Sequence, residues 1–227
     1  MTSLFVTASG TDVGKTFVMT QLIAALRKAG YRVRALKPIA SGFDPAQPQN
    51  SDSGRLLLAQ NLSPTAANLD AVTPWRFTAP LSPDMAAERE HRRIPFDALV
   101  KFCKSATDID ITLIEGIGGT MVPIDETHTV VDWIKALDVP TLLVVGSYLG
   151  TLSHALTASV VLQDRGCELA GVIVSESVAQ PVTPEETAAV LQRFLRPVPV
   201  RVLPRLGSAG STATLNWLEL LEAHLRR

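Results

Sequence analysis

Ala8-Ser9-Gly10-Thr11-Asp12-Val13-Gly14-Lys15-Thr16 joins an apolar, β-branched run, Ser3 to Thr7, directly to a long amphipathic segment that opens at Lys15. A loop of small residues between a strand and a helix can turn its backbone N–H groups toward a polyphosphate. A lysine then reaches the outer phosphates and a hydroxyl takes Mg²⁺. Gly14-Lys15-Thr16 fits that pattern, and a strand feeding a helix through it points to an α/β fold. The front of the loop departs from the strict form G-x-x-x-x-G-K-[ST], because Ser9 stands where the first glycine is required.

Outward from this loop, short apolar runs alternate with helical patterns, as expected of a mostly parallel sheet covered by helices on both faces. The strands are expected over Ser3 to Thr7, Arg32 to Pro38, Ile109 to Glu115, Thr141 to Val145, Leu169 to Val174 and Val198 to Leu203. Helices are expected over Lys15 to Ala29, capped by Gly30, and over Phe96 to Ala106, Thr129 to Leu137, Leu152 to Arg165, Pro184 to Leu195 and Ala213 to Leu225. Residues 40–94, interrupted by six prolines, read as loop with short helices. The length suits one domain over residues 1–227, of P-loop NTPase type.

A formal net charge of −1 provides no basic field for nucleic acid or anionic lipid, so anion binding has to be local. Cys103 and Cys167 lack metal-ligand spacing and read as buried free thiols. The start, Met1-Thr2-Ser3-Leu4, carries no basic leader and suggests a cytoplasmic protein. Between Asp138 and Asp164 there is no acidic or basic residue apart from His154, but Gly146, Gly150 and several hydroxyl residues mark this stretch as strand, turn and helix instead of a membrane span. The four histidines have no zinc spacing, and no Ser-His-Asp arrangement is visible.

Three further residues carry chemistry. Lys37, at the end of the second expected strand, would add a positive charge beside the loop, where a transferring phosphate develops negative charge. Ser41-Gly42 follows it. Asp52 opens a helical pattern and reads either as its N-terminal cap or as a Mg²⁺ ligand. Glu115 ends a buried strand before Gly116-Ile117-Gly118-Gly119, where glycines admit a ligand to the backbone and the carboxylate can hold Mg²⁺. With Lys15 and Thr16 these residues converge on one edge of the sheet, in outline a metal-phosphate site.

Taken together, Thr11 to Thr16, Lys37-Pro38-Ile39-Ala40-Ser41-Gly42, Asn50-Ser51-Asp52, Glu115 to Gly119 and Leu149 to Ala155 resemble the dethiobiotin synthetase family over most of the chain. Pro80-Leu81-Ser82-Pro83 and Leu169-Ala170-Gly171-Val172-Ile173 extend the likeness. The resemblance implies an ATP- and Mg²⁺-dependent enzyme of biotin biosynthesis that closes 7,8-diaminopelargonate and CO₂ into a cyclic urea, through a carbamate and a carbamic-phosphoric anhydride. It implies Lys15 and Lys37 as catalytic cations and Thr16, Asp52 and Glu115 as metal ligands. Asp12, Val13, Gly14, Phe17, Gly116, Ile117, Gly118, Ser175, Glu176, Pro204, Arg205 and Leu206 would complete the nucleotide site. Thr11 and Ser41 would contact the substrate, as would Gly150, Thr151, Leu152 and Ser153 across a homodimer interface.

Three positions depart from the family's usual pattern. Ala8 stands in place of glycine, and Ser175 in place of an asparagine that reads adenine. Small residues around Ser211 replace an acidic residue expected at the ribose. A partition or switch ATPase shares the fold but carries an extra lysine where Gly10 stands. An amidating enzyme of the cobyrinate type needs a glutaminase domain for which this chain has no room.

Overall fold

The computed structural model describes residues 2–105, 108–205 and 215–225. Its centre is a six-stranded parallel sheet in the order β2-β5-β1-β6-β7-β8. The strands are β1 (Thr2–Ala8), β2 (Val33–Leu36), β5 (Ile111–Glu115), β6 (Thr141–Val145), β7 (Leu169–Ser175) and β8 (Val200–Leu203). Alternation along β1 sends Leu4 and Val6 to one face and Phe5 to the other, and each face is sealed by its own core. On the first face, Met19, Leu22, Ile23 and Leu26 of α1 (Lys15–Lys28) pack with Trp217, Leu220 and Leu221 of α9 (Trp217–Leu225). On the second, Trp133 of α6 (Val130–Leu137) meets Phe5 edge-on at 4.9 Å, beside Leu99 of α5 (Phe96–Lys104), Leu162 of α7 (Thr151–Asp164) and Leu191 of α8 (Pro184–Leu195).

Strand β1 lies between β5 and β6, so its carboxyl end opens at the middle of the sheet, where ligands of open parallel sheets bind. The loop leaving it is anchored on both sides. Ser9 N donates to Val144 O, while Thr120 N and Thr120 Oγ1 both donate to Ala8 O.

The second strand is shorter than expected. It stops at Leu36 because Lys37 N donates to Val72 O and Pro38 has no N–H to give a neighbour. The chain then enters a separate two-stranded parallel sheet, β3 (Ile39–Ala40) with β4 (Trp75–Arg76), which the sequence pattern did not reveal. Around this pair residues 40–94 fold into a 3₁₀ turn (Pro48–Asn50) and three short helices, α2 (Asp52–Ala59), α3 (Ala66–Val72) and α4 (Pro83–Arg89). Helix α2 is seated tightly on the 3₁₀ turn, since a Cβ on Gly54 would lie 2.1 Å from Pro48 O.

Other boundaries shift by a few residues. Helix α7 starts at Thr151, behind Gly150, and β8 starts at Val200. Helix α5 ends at Lys104, its expected last residue Ala106 lying outside the described residues. Helix α9 begins only at Trp217, where Asn216 Oδ1 accepts from Glu219 N; the expected start at Ala213 lies outside the described residues. Cys103 is buried, its thiol pushed up to about 12 by burial, but Cys167 is only half-buried, which corrects the expectation for that thiol. Among the described residues no helix is long and apolar enough to cross a membrane.

Candidate active site

Helix α1 begins without a side-chain cap. Gly14, its N-cap residue, sits at φ +96°, and a Cβ there would meet Ser175 Oγ at 2.5 Å. Only glycine takes both that backbone and that contact without strain, and the uncapped first turn leaves N–H groups free to receive an anion.

The lysines on either side of this turn are both buried and both tethered. Lys15 Nζ donates to Gly118 O at 2.8 Å and to Gly10 O at 3.2 Å. Burial, reinforced by the nearby Lys37 charge, lowers its pKa to about 8 against the partial support of Glu115, Asp52 and Asp12. Lys37 Nζ donates to Glu115 Oε1 at 2.8 Å and to Gly116 O at 2.7 Å, and lies 3.6 Å from Asp52 Oδ2. Burial works to deprotonate Lys37, but the attraction of Glu115 and Asp52 outweighs it, so its pKa is raised. Asp52 shows the mirror image. Burial favours its neutral form, yet Lys37 and a hydrogen bond to Thr16 hold its pKa below the usual carboxylate value.

Asp52 is not the cap of α2. Ser51 fills that role, its Oγ accepting from Gly54 N at 3.0 Å, and Asp52 follows as the first helical residue with its carboxylate toward Lys37. Glu115 is brought in by register, Val6 pairing with Glu115 across β1 and β5. Its Oε1 accepts from both Lys37 and Thr16 Oγ1, the latter at 2.8 Å, while its Oε2 is buried with no hydrogen-bond partner among the described residues. An orphaned carboxylate oxygen beside a threonine hydroxyl and a second carboxylate is an all-oxygen donor set of the kind Mg²⁺ takes, so the residues present fit that ion. Among the described residues no cluster of three or more His, Cys, Asp and Glu side chains competes with it.

Lys15, Thr16, Lys37 and Asp52 line a cavity of about 800 Å³ together with Thr11, Asp12, Gly14, Phe17, Ser41, Ile117 and Gly118, while Glu115 lies behind that lining, held to it through Thr16 and Lys37. The small sheet supplies the opposite wall, because Gly42 N donates to Ala79 O and so sets Ser41 near Pro80 to Pro83. A second cavity of about 470 Å³ is lined by Asp12, Val13, Gly14, Phe17, Ser175, Glu176 and Arg205. The two share Asp12, Gly14 and Phe17, so the phosphate loop forms the partition between them. Glu176 Oε2 accepts from Arg205 N at 2.8 Å, joining the loops after β7 and β8.

Some expected site residues stand apart. Gly116 acts behind the wall through its carbonyl, and Pro204 lines neither cavity. Leu206 and Ser211 lie outside the described residues. Gly150, Thr151, Leu152 and Ser153, at the start of α7, line neither cavity, and Thr151 Oγ1 is spent on Gly146 O. The sequence reading missed Arg55, which lines the first cavity; its spacing of three from Asp52 on a helix was the available signal.

A model described as an AAA domain matches residues 2–223. Among solved structures, the septum site-determining protein MinD of Pyrococcus horikoshii OT3, complexed with Mg-ADP, aligns with a TM-score of 0.53 at 18% identity over 89% of this chain and 81% of that one. A chain of the Aquifex aeolicus MinC:MinD cell division protein complex aligns with a TM-score of 0.53 at 14% identity, over 90% and 81%. These likenesses show the fold alone. Curated relatives are nearer. The ATP-dependent dethiobiotin synthetase BioD of Acidiphilium cryptum (strain JF-5) is 48% identical over 88% of this chain and 91% of its own. That of Methylobacterium nodulans is 46% identical over 85% and 89%, and that of Phenylobacterium zucineum 44% identical over 100% and 97%. At such identity and coverage, with the loop and the buried lysine–carboxylate cluster in place, the chain belongs to the ATP-dependent dethiobiotin synthetase family.

Proposed function

We propose that this member of the family performs its ATP-dependent ring closure in the cavity beneath the phosphate loop, with 7,8-diaminopelargonate and CO₂ as the joined substrates and residues 1–227 acting as one domain. One amine of the substrate adds to CO₂ and loses a proton, giving a carbamate. A carbamate oxygen attacks the terminal phosphorus of ATP, ADP departs, and a carbamic-phosphoric anhydride remains. The second amine attacks the carbonyl carbon, expels phosphate and closes the cyclic urea. Protein contributes positioning and positive charge more than covalent chemistry.

In this reading Lys15 and Lys37 neutralise the oxygens along the phosphoryl path, and Thr16, Asp52 and Glu115 hold Mg²⁺, whose chemistry is to offset phosphate charge. Thr11 and Ser41 face the substrate across the cavity. The second cavity takes the nucleoside, with Ser175, Glu176 and Arg205 around the base. The helix start at Gly150 to Ser153, where Thr151 N already donates to Tyr148 O, receives the substrate carboxylate of a partner subunit in a homodimer, which accounts for its absence from the lining of both cavities. A cytoplasmic location belongs to the same proposal.

The observation that carries it is the meeting of Lys15, Thr16, Lys37, Asp52 and Glu115 in one cluster. The test supplies diaminopelargonate, bicarbonate, Mg²⁺ and ATP and follows phosphate and cyclic urea together. Equal yields of the two, dependent on the diamine, are expected. Phosphate released without the diamine would support a switch-type ATPase instead.

A further inference from the structure

A third cation lines the main cavity. Arg55 lies one turn beyond Asp52 on α2, and their i,i+3 spacing puts both on one face of the helix, close enough for the arginine charge to act on the carboxylate. Lys15 and Lys37 are pinned by backbone carbonyls and by Glu115. The Arg55 side chain is exposed and, among the described residues, has neither a hydrogen bond nor an ion pair.

Counting Glu115, which pairs with Lys37 behind the lining, the charges of Lys15, Lys37 and Arg55 balance those of Asp12, Asp52 and Glu115, three against three. A triphosphate with one Mg²⁺ therefore arrives as excess negative charge, and among the described residues of the cavity lining the guanidinium of Arg55 is the one cation without a tether. Its planar fork suits phosphate oxygens better than a point charge does. It shares the cavity wall with Asp52, the carboxylate that also lies 3.6 Å from Lys37.

We propose that Arg55 binds the terminal phosphate of the nucleotide, so that the protein holds ATP more firmly than ADP until phosphoryl transfer is complete. The proposal rests on the reading of the cavity as the nucleotide site. Its test is calorimetric titration, without diamine, of the wild type, Arg55→Ala and Arg55→Lys with Mg-ADP and with the non-hydrolysable β,γ-imido analogue of ATP. For Arg55→Ala, Mg-ADP affinity should stay within about twofold, and the analogue should weaken by about ten- to a hundredfold, the worth of hydrogen bonds to a charged group. Arg55→Lys should recover part of that loss. Unchanged Mg-ADP binding also reports that the variant is folded. Equal weakening of both nucleotides, or of neither, overturns the proposal. So does an effect confined to the KM for bicarbonate or diamine, which would assign Arg55 to the carbamate. A wild type that binds neither nucleotide removes the underlying reading of the cavity, and this proposal with it, a result separable from any produced by the variants.

Discussion

Lys37 Nζ and Glu115 Oε1 lie 2.8 Å apart, both side chains at most 3% exposed, while the other oxygen of Glu115 has no hydrogen-bond partner among the described residues. Removing Lys37 therefore does two things. It takes a cation from the phosphoryl path, which should lower turnover by about 10²- to 10³-fold. It also strands a buried carboxylate, which should cost about 3–5 kcal/mol in urea unfolding. Added Mg²⁺ should restore more stability to Lys37→Ala than to the wild type, since both cations answer to the same carboxylate. Unfolding curves with and without Mg²⁺ measure this; an equal shift in the two proteins would remove Glu115 from the metal site.

Lys15 provides a pH signature. Its pKa of about 8 in the free protein lies below the ordinary lysine value of 10.5, because burial and Lys37 disfavour its charge. A bound triphosphate should raise it again. Nucleotide binding above pH 8 should then take up a proton, with affinity falling by up to about tenfold per pH unit. Titration in buffers of different ionisation enthalpy detects that proton, and Lys15→Arg should abolish the uptake. The same shift bears on folding. Between pH 8 and 10.5 the unfolded chain binds more protons at this residue, so its contribution makes stability rise with pH across that window.

Gly14 and Gly10 should separate sharply. A Cβ at Gly14 falls 2.5 Å from Ser175 Oγ on a backbone of φ +96°, whereas one at Gly10 meets nothing within 4 Å. Gly14→Ala should lose about 1–3 kcal/mol of stability, and nucleotide binding with it. Gly10→Ala should change folding stability by less than about 0.5 kcal/mol. Thermal unfolding of the two variants side by side decides the point.

Ser175 bears on the choice of base. It offers one hydroxyl where an asparagine would present a paired donor and acceptor, and that hydroxyl is pressed against Gly14. CTP and GTP should therefore support turnover within about a hundredfold of ATP, well short of the discrimination reached by a site that hydrogen-bonds its ligand fully. Comparing kcat/KM for the three triphosphates tests this. A preference for ATP steeper than that would show that backbone groups read the base.

Much of the main sheet was legible because its strands are continuous apolar runs and its helices carry a 3.6-residue period; β6 was placed to the residue. Lys15, Thr16, Lys37 and Glu115 were legible because strand ends and the phosphate loop fix them in one place. The β3–β4 pair escaped notice, as strands of two residues leave no periodicity to read. The role of Ser51 as the cap was hidden by the adjacent Asp52, since both residue types suit that position and only the fold chooses between them. The pairing of Lys37 with Glu115 depends on two side chains 78 positions apart in the chain, a distance that no local pattern encodes.

The early exit of the chain from the main sheet at Lys37 has a consequence for how such a protein can change. The phosphate loop is built into the six-stranded framework, but the facing wall at Ser41 and Pro80 hangs on a separate pair of strands and short helices between residues 39 and 94. In the proposed reading this second piece carries the substrate-facing wall, but it also carries Asp52 and Arg55 on α2. Exchanges confined to the β3–β4 pair and the turn at Pro80 to Pro83 can then remodel what is joined while α2 and the phosphate loop stay intact, which makes those two places the natural ones to graft a new substrate preference.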